Sequence, residues 1–318
     1  MKILITGGAG FIGSNLAKKL MDRGDKVVLI DNFNNYYDPQ LKKDRIKKYL
    51  KGYNFKLYKG DIRDIKLLEK IFKTEKLDKV MHLAALAGVR NSLLDPLGYE
   101  DVNIKGTLNF LEMSRKYKIK NFVYASSSSV YGNNKKQPFS ESDNVDTPIS
   151  PYAATKKAIE LLAHVYSHIY GLNTTGLRYF TVYGPWGRPD MALFLFADGI
   201  TKNKPIKVFN HGKMSRNFTF VDDIVSGTIK VIDSNLKCEI MNIGGDREET
   251  LMRYIEVLEN CLGKKAKKKF LPMQPGDVPA TVADIRKLKK LGWKPTTRIE
   301  KGIADFVEWY REYYKISY

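Results

Sequence analysis

The sequence predicts an α/β fold, with a doubly wound parallel sheet and a smaller C-terminal lobe. Apolar runs and helical patterns alternate through the first half of the 318 residues. Such alternation is typical of parallel strands joined by right-handed helical crossovers. The first apolar run leads directly into a glycine-rich turn and a helix, and the second run ends in Asp31. A strand, a glycine turn and a helix in that order indicate the Rossmann type of this fold.

The elements follow in order along the chain. The predicted strands are 2–6, 26–30, 54–58, 79–84, 121–126 and 173–178, and the predicted helices lie near 11–23, 64–74, 99–117 and 151–170. Beyond residue 178 the pattern loosens at the turn-rich segment Gly184–Pro189. A helix near 222–234 and a strand at 240–243 then return to the sheet, and a last helix is predicted near 298–315. We therefore expect an NAD-binding Rossmann domain of residues 1–178 with a return segment of about 218–245, and a substrate-binding lobe of 179–217 and 246–318.

The glycine-rich turn has the composition of a dinucleotide-binding site. Gly7, Gly10 and Gly13 let the backbone turn tightly and approach a pyrophosphate. The helix that follows directs its free N–H groups at the same phosphates. Asp31 stands where a carboxylate accepts hydrogen bonds from both ribose hydroxyls of NAD, and its charge repels the 2′-phosphate of NADP. The alternative, a plain glycine loop with a surface aspartate, is disfavoured by this context.

The composition excludes several classes of protein. Hydrophobic residues make up 43% and charged residues 28% of the chain, as in ordinary globular proteins. No apolar run approaches the length of a membrane span, and the N-terminus does not have the pattern of a signal peptide. Cys238, Cys261 and four scattered histidines predict neither a disulfide framework nor a metal site. We therefore expect a cytoplasmic protein without a metal.

The chain is strongly basic, with 54 Lys and Arg against 35 Asp and Glu and a formal charge of +19. Binding to nucleic acid or to an anionic membrane is one interpretation of this excess. The lysines, however, are spread along the chain and are not interleaved with aromatic residues. We therefore interpret them as solvated faces and expect neither nucleic acid nor membrane as a partner. A basic surface still steers an anionic nucleotide toward its site.

The residues best suited to catalysis are Tyr152 and Lys156. Ser150 and Pro151 predict a helix start just before them, and their spacing of four places both side chains on one helix face. A tyrosine with a pKa near 10 is a poor base at neutral pH. A nearby ammonium and a positive nicotinamide lower that pKa, and a shift of about three units corresponds to about 4 kcal/mol. Four serines, Ser126–Ser129, end the preceding strand, and their hydroxyls could relay a proton to Tyr152.

These motifs resemble those of the extended short-chain dehydrogenase/reductase family, and within it the nucleotide-sugar 4-epimerases. The resemblance runs almost end to end. It includes the turn at Gly7, Gly10 and Gly13, Gly60-Asp61-Ile62, His82-Leu83-Ala84-Ala85, Asn103, Ser126–Gly132, Tyr152 with Lys156, Arg178–Pro185, Arg216–Asp223 and Pro275-Gly276-Asp277. It implies a UDP-sugar 4-epimerase with tightly bound NAD. It also implies a homodimer that pairs the helices near 99–117 and 151–170.

The resemblance also implies roles for individual residues. Tyr152 would be the base, Lys156 would tune it and bind the nicotinamide ribose, and Ser127 would bind the sugar O4. The implied cofactor-binding residues are Gly7, Gly10, Phe11, Ile12, Gly13, Asp31, Asn32, Asp61, Ile62, Leu83, Ala84, Ala85, Asn103, Tyr152 and Lys156. The implied substrate-binding residues are Arg90, Ser127, Ser128, Ser129, Tyr152, Thr181, Phe209, Arg216, Gln274, Asp277 and Thr281. Among these, Asp61 and Ile62 would frame the adenine, Phe209 would stack on the uracil, and Arg216 would bind the diphosphate.

The sugar is left open by the sequence. Related 4,6-dehydratases and decarboxylases carry acidic residues where Ser128 and Ser129 stand, so the hydroxyls favour epimerisation. The serines and the segment Arg188–Leu193 resemble UDP-glucuronate 4-epimerases. The small Thr281, at a position that is Tyr in relatives restricted to hexoses, favours UDP-N-acetylglucosamine instead. The remaining alternatives are a UDP-glucose 4-epimerase, a UDP-sugar dehydratase or decarboxylase of the same family and, more distantly, a non-catalytic NAD-binding scaffold.

Overall fold

A seven-stranded parallel sheet lies at the centre of the fold in the computed structural model, which describes residues 1–274 and 276–316. Pro275, part of one predicted motif, lies outside the described residues. Across the sheet the strands are β3 (Phe55–Lys59), β2 (Lys26–Asp31), β1 (Lys2–Thr6), β4 (Lys79–His82), β5 (Asn121–Ser127), β6 (Thr174–Tyr179) and β11 (Cys238–Ile243). The strand order reverses between β1 and β4, and ligands bind parallel α/β sheets at such a switch point, beyond the carboxyl ends of the strands. The predicted fold is confirmed.

Helices cover both faces of this sheet, and short strands lie outside it. The helices are α1 (Phe11–Asp22), α2 (Pro39–Asp44), α3 (Ile65–Glu75), α4 (Val89–Leu94), α5 (Pro96–Glu100), α6 (Gly106–Lys116), α7 (Pro151–Tyr170), α8 (Ala192–Thr201), α9 (Val221–Ser234), α10 (Leu251–Leu262), α11 (Arg286–Lys289) and α12 (Ile299–Tyr314). The short strands are β7 (Thr181–Tyr183), β8 (Ile206–Val208), β9 (Ser215–Arg216), β10 (Phe218–Phe220), β12 (Glu249–Thr250), β13 (Lys268–Phe270) and β14 (Ala280–Thr281). No helix in the described part of the chain is long and apolar enough to span a membrane.

Two predicted elements differ from the structure. The helix predicted near 99–117 is divided, because a turn of π-helix, Asp101–Lys105, separates α5 from α6. The strand predicted at 79–84 ends at His82, because the next two backbone N–H groups bind the Thr6 hydroxyl instead of a neighbouring strand. The return of a helix and a strand to the sheet is confirmed, since β11 pairs with β6 and α9 packs beside α1.

The core divides between the two faces of the sheet. Successive residues of β1 alternate, so that Ile3 and Ile5 belong to one apolar cluster and Leu4 to the other. All three are fully buried. Burial of each such side chain stabilises the fold by about 1.5–3 kcal/mol. Both layers hold the strands in register, and the register places the carboxyl ends of β1, β4 and β5 side by side.

A buried histidine links two of these strand ends. The Thr6 hydroxyl accepts the N–H groups of Leu83 and Ala84 at 3.0 and 2.9 Å, so its own hydrogen is donated to Nδ1 of His82 at 2.9 Å. The other ring nitrogen, Nε2, then carries the proton toward Thr107 Oγ1 at 3.1 Å. Burial, and secondarily the charge of Lys156, lowers the pKa of His82 to about 3. The ring is therefore neutral in the native protein.

We expect His82→Asn to change the acid limb of the stability curve. The unfolded histidine binds a proton below about pH 6.5 while the native ring stays neutral to about pH 3. The free energy of unfolding is therefore independent of His82 protonation above about pH 6.5. Below that pH it falls, by at most about 1.4 kcal/mol per pH unit. Urea unfolding between about pH 4 and pH 8 measures it. H82N should lose this slope, whereas the exposed His168→Asn should keep it; equal slopes in both variants would contradict the account.

Candidate active site

A cavity of about 1000 Å³ lies at the carboxyl ends of the central strands and extends between the sheet and the short strands. Every predicted substrate-binding residue lines it, namely Arg90, Ser127, Ser128, Ser129, Tyr152, Thr181, Phe209, Arg216, Gln274, Asp277 and Thr281. Thirteen of the predicted cofactor-binding residues also line it: Gly7, Gly10, Phe11, Ile12, Gly13, Asp31, Asn32, Ile62, Leu83, Ala84, Ala85, Tyr152 and Lys156. The folded chain thus brings residues from across the sequence to one site.

The glycine turn is shaped for a phosphate group. Gly7 has a φ of +66°, and a Cβ on Gly13 would lie 2.3 Å from the Gly7 carbonyl oxygen. Larger residues at these two positions would therefore force the turn open. Gly10 caps α1 without any side-chain hydrogen bond to the helix N–H groups. These N–H groups and the helix dipole can receive an anion, so the turn fits the pyrophosphate of NAD.

Asp31 is the residue best placed for a ribose. It is 7% exposed and lines the cavity where β2 ends. Its two carboxylate oxygens accept the backbone N–H groups of Ala9 at 3.1 Å and Phe33 at 2.8 Å. Each oxygen keeps a further lone pair for a hydroxyl. The predicted binding of the NAD ribose therefore fits the geometry.

Asp61 is not among the residues that line the cavity, and its predicted contact with the adenine stays a prediction. Its carboxylate accepts hydrogen bonds from the Arg63 side chain at 2.8 Å and from the Asn32 amide at 3.0 Å. The Arg63 guanidinium is the main reason that the pKa of Asp61 lies far below its usual range. Ile62, the next residue, does line the cavity. Asp61 therefore supports the cofactor wall from outside.

Asn103 is also not among the residues that line the cavity, and its predicted contact with the cofactor stays a prediction. It is 1% exposed, and its amide binds both the N–H and the carbonyl of Leu86, at 2.8 and 3.0 Å. The same amide nitrogen donates to Thr155 Oγ1 at 3.0 Å, and that hydroxyl donates to the Tyr152 carbonyl at 2.8 Å. Asn103 therefore ties the loop after β4 to the start of α7.

The predicted start of α7 is confirmed, and it places Tyr152 and Lys156 on one face. The Ser150 hydroxyl accepts the Ala153 N–H and Pro151 is the first helical residue. Lys156 Nζ lies 5.8 Å from the centroid of the Tyr152 ring. This ammonium donates to the Ala125 carbonyl of β5 at 2.6 Å, so the strand end fixes its position.

The hydrogen bonds that Ser129 donates to Ser127 determine where the Ser127 hydroxyl can donate its own hydrogen. Its oxygen accepts both the backbone N–H of Ser129 at 3.1 Å and the Ser129 hydroxyl at 2.9 Å. Both lone pairs are then used, and its hydrogen is free for the neighbouring Tyr152 oxygen. A hydrogen bond between the Ser127 and Tyr152 side chains lowers the pKa of Tyr152, as expected for a donor that stabilises the phenolate.

Burial opposes both charged forms of the catalytic pair. It raises the pKa of Tyr152, and the Ser127 hydrogen bond and the Arg188 charge oppose this only in part. It also lowers the pKa of Lys156 to about 8, against the attraction of Glu160. Burial therefore dominates in the ligand-free protein. The lower Tyr152 pKa that we expect from Lys156 together with a positive nicotinamide stays a prediction.

Ser126 lines the cavity, but its hydroxyl hydrogen is already donated within the protein. Its hydroxyl donates to Glu160 at 2.5 Å. Glu160 is also paired with both guanidinium arms of Arg178, at 2.9 and 2.8 Å. Both partners are at most 6% exposed, and removal of one partner from such a buried pair costs about 3–5 kcal/mol. This pair lies directly behind Lys156.

Arg216 supplies positive charge on the opposite wall. Its guanidinium donates to the backbone carbonyls of Ser215, Val278 and Pro279 at 2.7–3.1 Å. Burial lowers the pKa of this guanidinium, which Asp277 opposes and Arg90 reinforces. Thr281 is its neighbour in the β9–β14 register. A buried cation bound only to carbonyls favours an anion in the cavity.

Arg90 and Gln274 lie near this wall. Arg90 makes an ion pair with Asp277 at 3.1 Å and lies over the Phe209 ring at 5.2 Å. The Phe209 ring therefore forms an aromatic wall that a planar base could stack on. The Gln274 amide oxygen is buried without a hydrogen-bond partner among the described residues. It can accept a hydrogen bond from a ligand hydroxyl or N–H.

Several cavity residues were not predicted as site residues. Arg188 pairs with Asp190 at 2.6 and 3.0 Å, lies 5.5 Å from the Tyr36 ring, and acts electrostatically on Tyr152. Tyr36 and Lys42 come from the segment after β2. The signal in the sequence was a concentration of tyrosines and basic residues between Asn34 and Tyr49. It has no fixed spacing relative to the glycine turn, so it could not be assigned.

The comparison with known proteins decides the family. Residues 3–244 match the model of the NAD dependent epimerase/dehydratase family.

The chain belongs to this family.

Within the NAD dependent epimerase/dehydratase family, similar proteins are named for the epimerisation of UDP-sugars. The UDP-glucuronate 4-epimerase of Thermodesulfobacterium geofontis is 47% identical, over 97% of this chain and 96% of that protein. The UDP-glucuronic acid 4-epimerase of Bacillus cereus, solved with UDP-glucuronic acid and NAD, is 37% identical with a TM-score of 0.93, over 99% of this chain and 100% of that one. The UDP-N-acetylglucosamine 4-epimerase of Methanobrevibacter ruminantium M1, solved with UDP-N-acetylmuramic acid, is 32% identical with a TM-score of 0.90, over 98% of both chains.

Among residues 1–274 and 276–316, no three His, Cys, Asp or Glu side chains are arranged to hold a metal ion.

We expect the affinity of the NAD-free protein for NAD to depend on Lys156. Because burial lowers the pKa of this lysine to about 8, the ammonium is present below about pH 8 and is lost above it. NAD affinity should be constant at lower pH and fall above that value, by at most about tenfold per pH unit. Quenching of intrinsic fluorescence measures it. Lys156→Met should bind NAD weakly without this step, and Lys157→Met should retain it; a step that survives in K156M would rule out Lys156 as its origin.

Proposed function

We propose that this protein is an NAD-dependent UDP-sugar 4-epimerase whose substrate is UDP-glucuronate. The observation that carries the proposal is one wall of the cavity. There Tyr152 interacts with the Ser127 hydroxyl and with the charge of Arg188, and all three side chains line the cavity. A base, a hydrogen-bond donor and a cation are thus available to the same sugar ring.

In the proposed reaction, Tyr152 takes the proton of the sugar 4-hydroxyl as C4 is oxidised. Ser127 has one hydrogen to donate, because both lone pairs of its oxygen accept hydrogen bonds from Ser129. When the sugar is bound, this hydrogen is donated to the 4-oxygen in place of the Tyr152 oxygen. Lys156 keeps a positive charge beside the tyrosine ring. NAD, when bound, supplies the acceptor that removes the hydride and later returns it. Tyr152 gives the proton back when C4 is reduced on its other face, so no net acid or base is consumed.

Neutral groups around the sugar favour epimerisation over elimination. Water elimination needs an acid and a base in addition to Tyr152. The residues that follow Ser127 in the wall are Ser128 and Ser129, whose hydroxyls cannot supply a carboxylate at neutral pH. The 4-keto sugar is therefore given no second proton-transfer partner at this wall, and reduction is the remaining route.

The cation and hydroxyls of the cavity support a carboxylated sugar. The Arg188 guanidinium binds the Asp190 carboxylate through Nε and Nη2, so a sugar carboxylate would approach its third nitrogen, Nη1, or take the place of Asp190. The hydroxyls of Ser128, Ser129 and Thr181 line the same cavity. The relatives from Thermodesulfobacterium geofontis and Bacillus cereus carry names for UDP-glucuronate. The second candidate is UDP-N-acetylglucosamine, because Thr281 is small and one similar solved structure is named a UDP-N-acetylglucosamine 4-epimerase.

We also propose that residues 179–217 and 246–318 form the lobe that holds the UDP-sugar.

Proton NMR of the anomeric region tests the substrate. Purified protein and NAD are incubated separately with UDP-glucuronate, UDP-N-acetylglucosamine and UDP-glucose. We expect a new galacto-configured signal with UDP-glucuronate. A signal only with UDP-N-acetylglucosamine would favour the second candidate. No signal in any tube, with NAD shown to be bound, would contradict epimerase activity on these sugars.

Tyr152→Phe should abolish turnover without loss of binding. Removal of one general base lowers kcat by about 10²–10⁴-fold, while the phenyl ring still fills its place. NMR turnover and titration with UDP-glucuronate are measured on the same preparation. The control is Tyr166→Phe on the outer side of α7, where the hydroxyl binds Glu112. Full activity of Y152F with intact NAD and substrate binding would reject the mechanism and favour a scaffold.

We also propose a homodimer that pairs the helices of residues 99–117 and 151–170, with α7 at the centre of the interface. Leu161, Val165 and Ile169 follow one another at intervals of four and are 43–62% exposed. Leu94 and Leu97, in the helices packed beside α7, are 85% and 80% exposed. Together they form a continuous apolar surface on the side of α7 opposite Lys156. Exposed surfaces of this kind mark protein interfaces, and a second copy presents the same apolar helix.

Val165→Glu should convert the dimer to a monomer, because two carboxylates would be buried at the interface. Multi-angle light scattering after gel filtration measures the mass. Ile65→Glu is the matched control, since Ile65 on α3 is equally exposed at 43% but lies outside this surface. A wild-type monomer, or a V165E variant that remains dimeric, would overturn the proposed interface.

The free cysteines support a reducing compartment. Cys238 is exposed, Cys261 is half-buried, and the two are unpaired. We therefore propose that the protein works in the cytoplasm.

A further inference from the structure

Arg45 is fully buried and joins the glycine turn to the backbone of Trp186 and Gly187. It follows α2 and begins a turn of π-helix, Arg45–Tyr49. Its guanidinium donates to the Ala9 carbonyl at 3.1 Å, to the Trp186 carbonyl at 3.0 and 2.7 Å, and to the Gly187 carbonyl at 2.8 Å. A further bond, at 2.6 Å, goes to the Tyr37 hydroxyl. None of these acceptors is a carboxylate.

The acceptors belong to two functional segments. Ala9 is part of the glycine turn, and its N–H is held by Asp31. Trp186 and Gly187 immediately precede Arg188, which lines the sugar end of the cavity. The Ala9 peptide is therefore fixed on both sides, and the backbone that carries Arg188 is fixed by three hydrogen bonds from one side chain.

The backbone at Trp186 needs such a support. Its φ is +59°, in the left-handed region that non-glycine residues seldom adopt. A buried cation without an anion is also unfavourable unless its hydrogen bonds are satisfied. The conformation of this segment and the charge of Arg45 thus depend on each other. The planar fork of an arginine can bind several carbonyls at once, whereas the single ammonium of a lysine cannot reach both segments in the same way.

We infer that Arg45 is a positioning residue that holds Arg188 in register with the glycine turn and so determines the preference for a carboxylated sugar. This inference rests on the proposed function, in which Arg188 faces the carboxylate. Arg45 does not touch the sugar in this account. It acts through the Trp186–Gly187 backbone, and its loss would leave a cavity of similar lining with a misplaced Arg188.

Binding of UDP-glucuronate and UDP-glucose to the NAD-loaded protein tests this role. Isothermal titration gives a Kd for each ligand in wild type, Arg45→Lys, Arg188→Met and the double variant. R45K should raise the Kd of UDP-glucuronate by about tenfold or more and that of UDP-glucose by less than about threefold. If Arg45 acts through Arg188, the double variant should bind UDP-glucuronate no more weakly than R188M. Lys47→Met, an exposed neighbour on the same turn, should match wild type.

Hydrogen exchange gives a second measurement that needs no sugar. In R45K the amides of Gly184–Asp190 should exchange faster, while those of β1 stay protected. A merely structural role for Arg45 would weaken both ligands equally and raise exchange throughout, which would overturn the inference. So would additive losses in the double variant. If R188M leaves the ratio of the two Kd values unchanged, Arg188 does not select a carboxylated sugar and the proposed substrate preference fails. If R188M changes the ratio and R45K does not, only the positioning role of Arg45 fails.

Discussion

The alignment of the end of β5 with one face of α7 is the interaction on which the rest of the site depends. Three consecutive strand residues meet three helix residues spaced by four. The Ala125 carbonyl holds Lys156, the Ser126 hydroxyl holds Glu160, and the Ser127 hydroxyl meets Tyr152. Arg178 on the adjacent strand balances the charge of Glu160. A shift of the helix by one residue would break all three contacts, so the apolar layers that fix the sheet also fix the chemistry.

The site is costly to assemble, because burial disfavours both charged forms that the reaction uses. It raises the pKa of Tyr152 and lowers that of Lys156. Arg188 and Arg216 also line the cavity, and their positive charges favour the binding of an anionic substrate. A dinucleotide and a UDP-sugar both carry pyrophosphates, so the positive walls suit the two ligands alike. The same low-dielectric cavity that makes an isolated charge unfavourable strengthens its interaction with an opposite charge.

Much of the fold and many cavity residues could be predicted from sequence because their signals are local. The turn at Gly7 and Gly13 and the Ser150 cap are determined by neighbouring residues, and the alternation of apolar runs gives the sheet. Asn103 and Ser126 show what local signals do not reveal. Ser126 lines the cavity but donates its hydroxyl hydrogen to Glu160, and Asn103 lies behind the cavity, where its amide binds Leu86.

The segment after β2 holds residues near the site that the sequence analysis did not predict. Its irregular spacing carries no helical or strand pattern, so Arg45 and Tyr36 could not be placed at the site until the fold brought them there. The division of the helix near 99–117 by a π-turn depends likewise on packing around Asn103. Such residues belong to no short motif, because their partners lie far away in the sequence.

In the proposed reaction, the hydride that leaves C4 when it is oxidised is the one that returns to C4 when it is reduced. UDP-glucuronate deuterated at C4 tests it directly, with the product analysed by mass spectrometry and NMR after turnover in ordinary water. The account predicts a galacto-configured product that retains the deuterium at C4, because Tyr152 exchanges only the hydroxyl proton. Loss of the deuterium to solvent would show that C4 is inverted through abstraction of a proton from carbon, and would contradict the account.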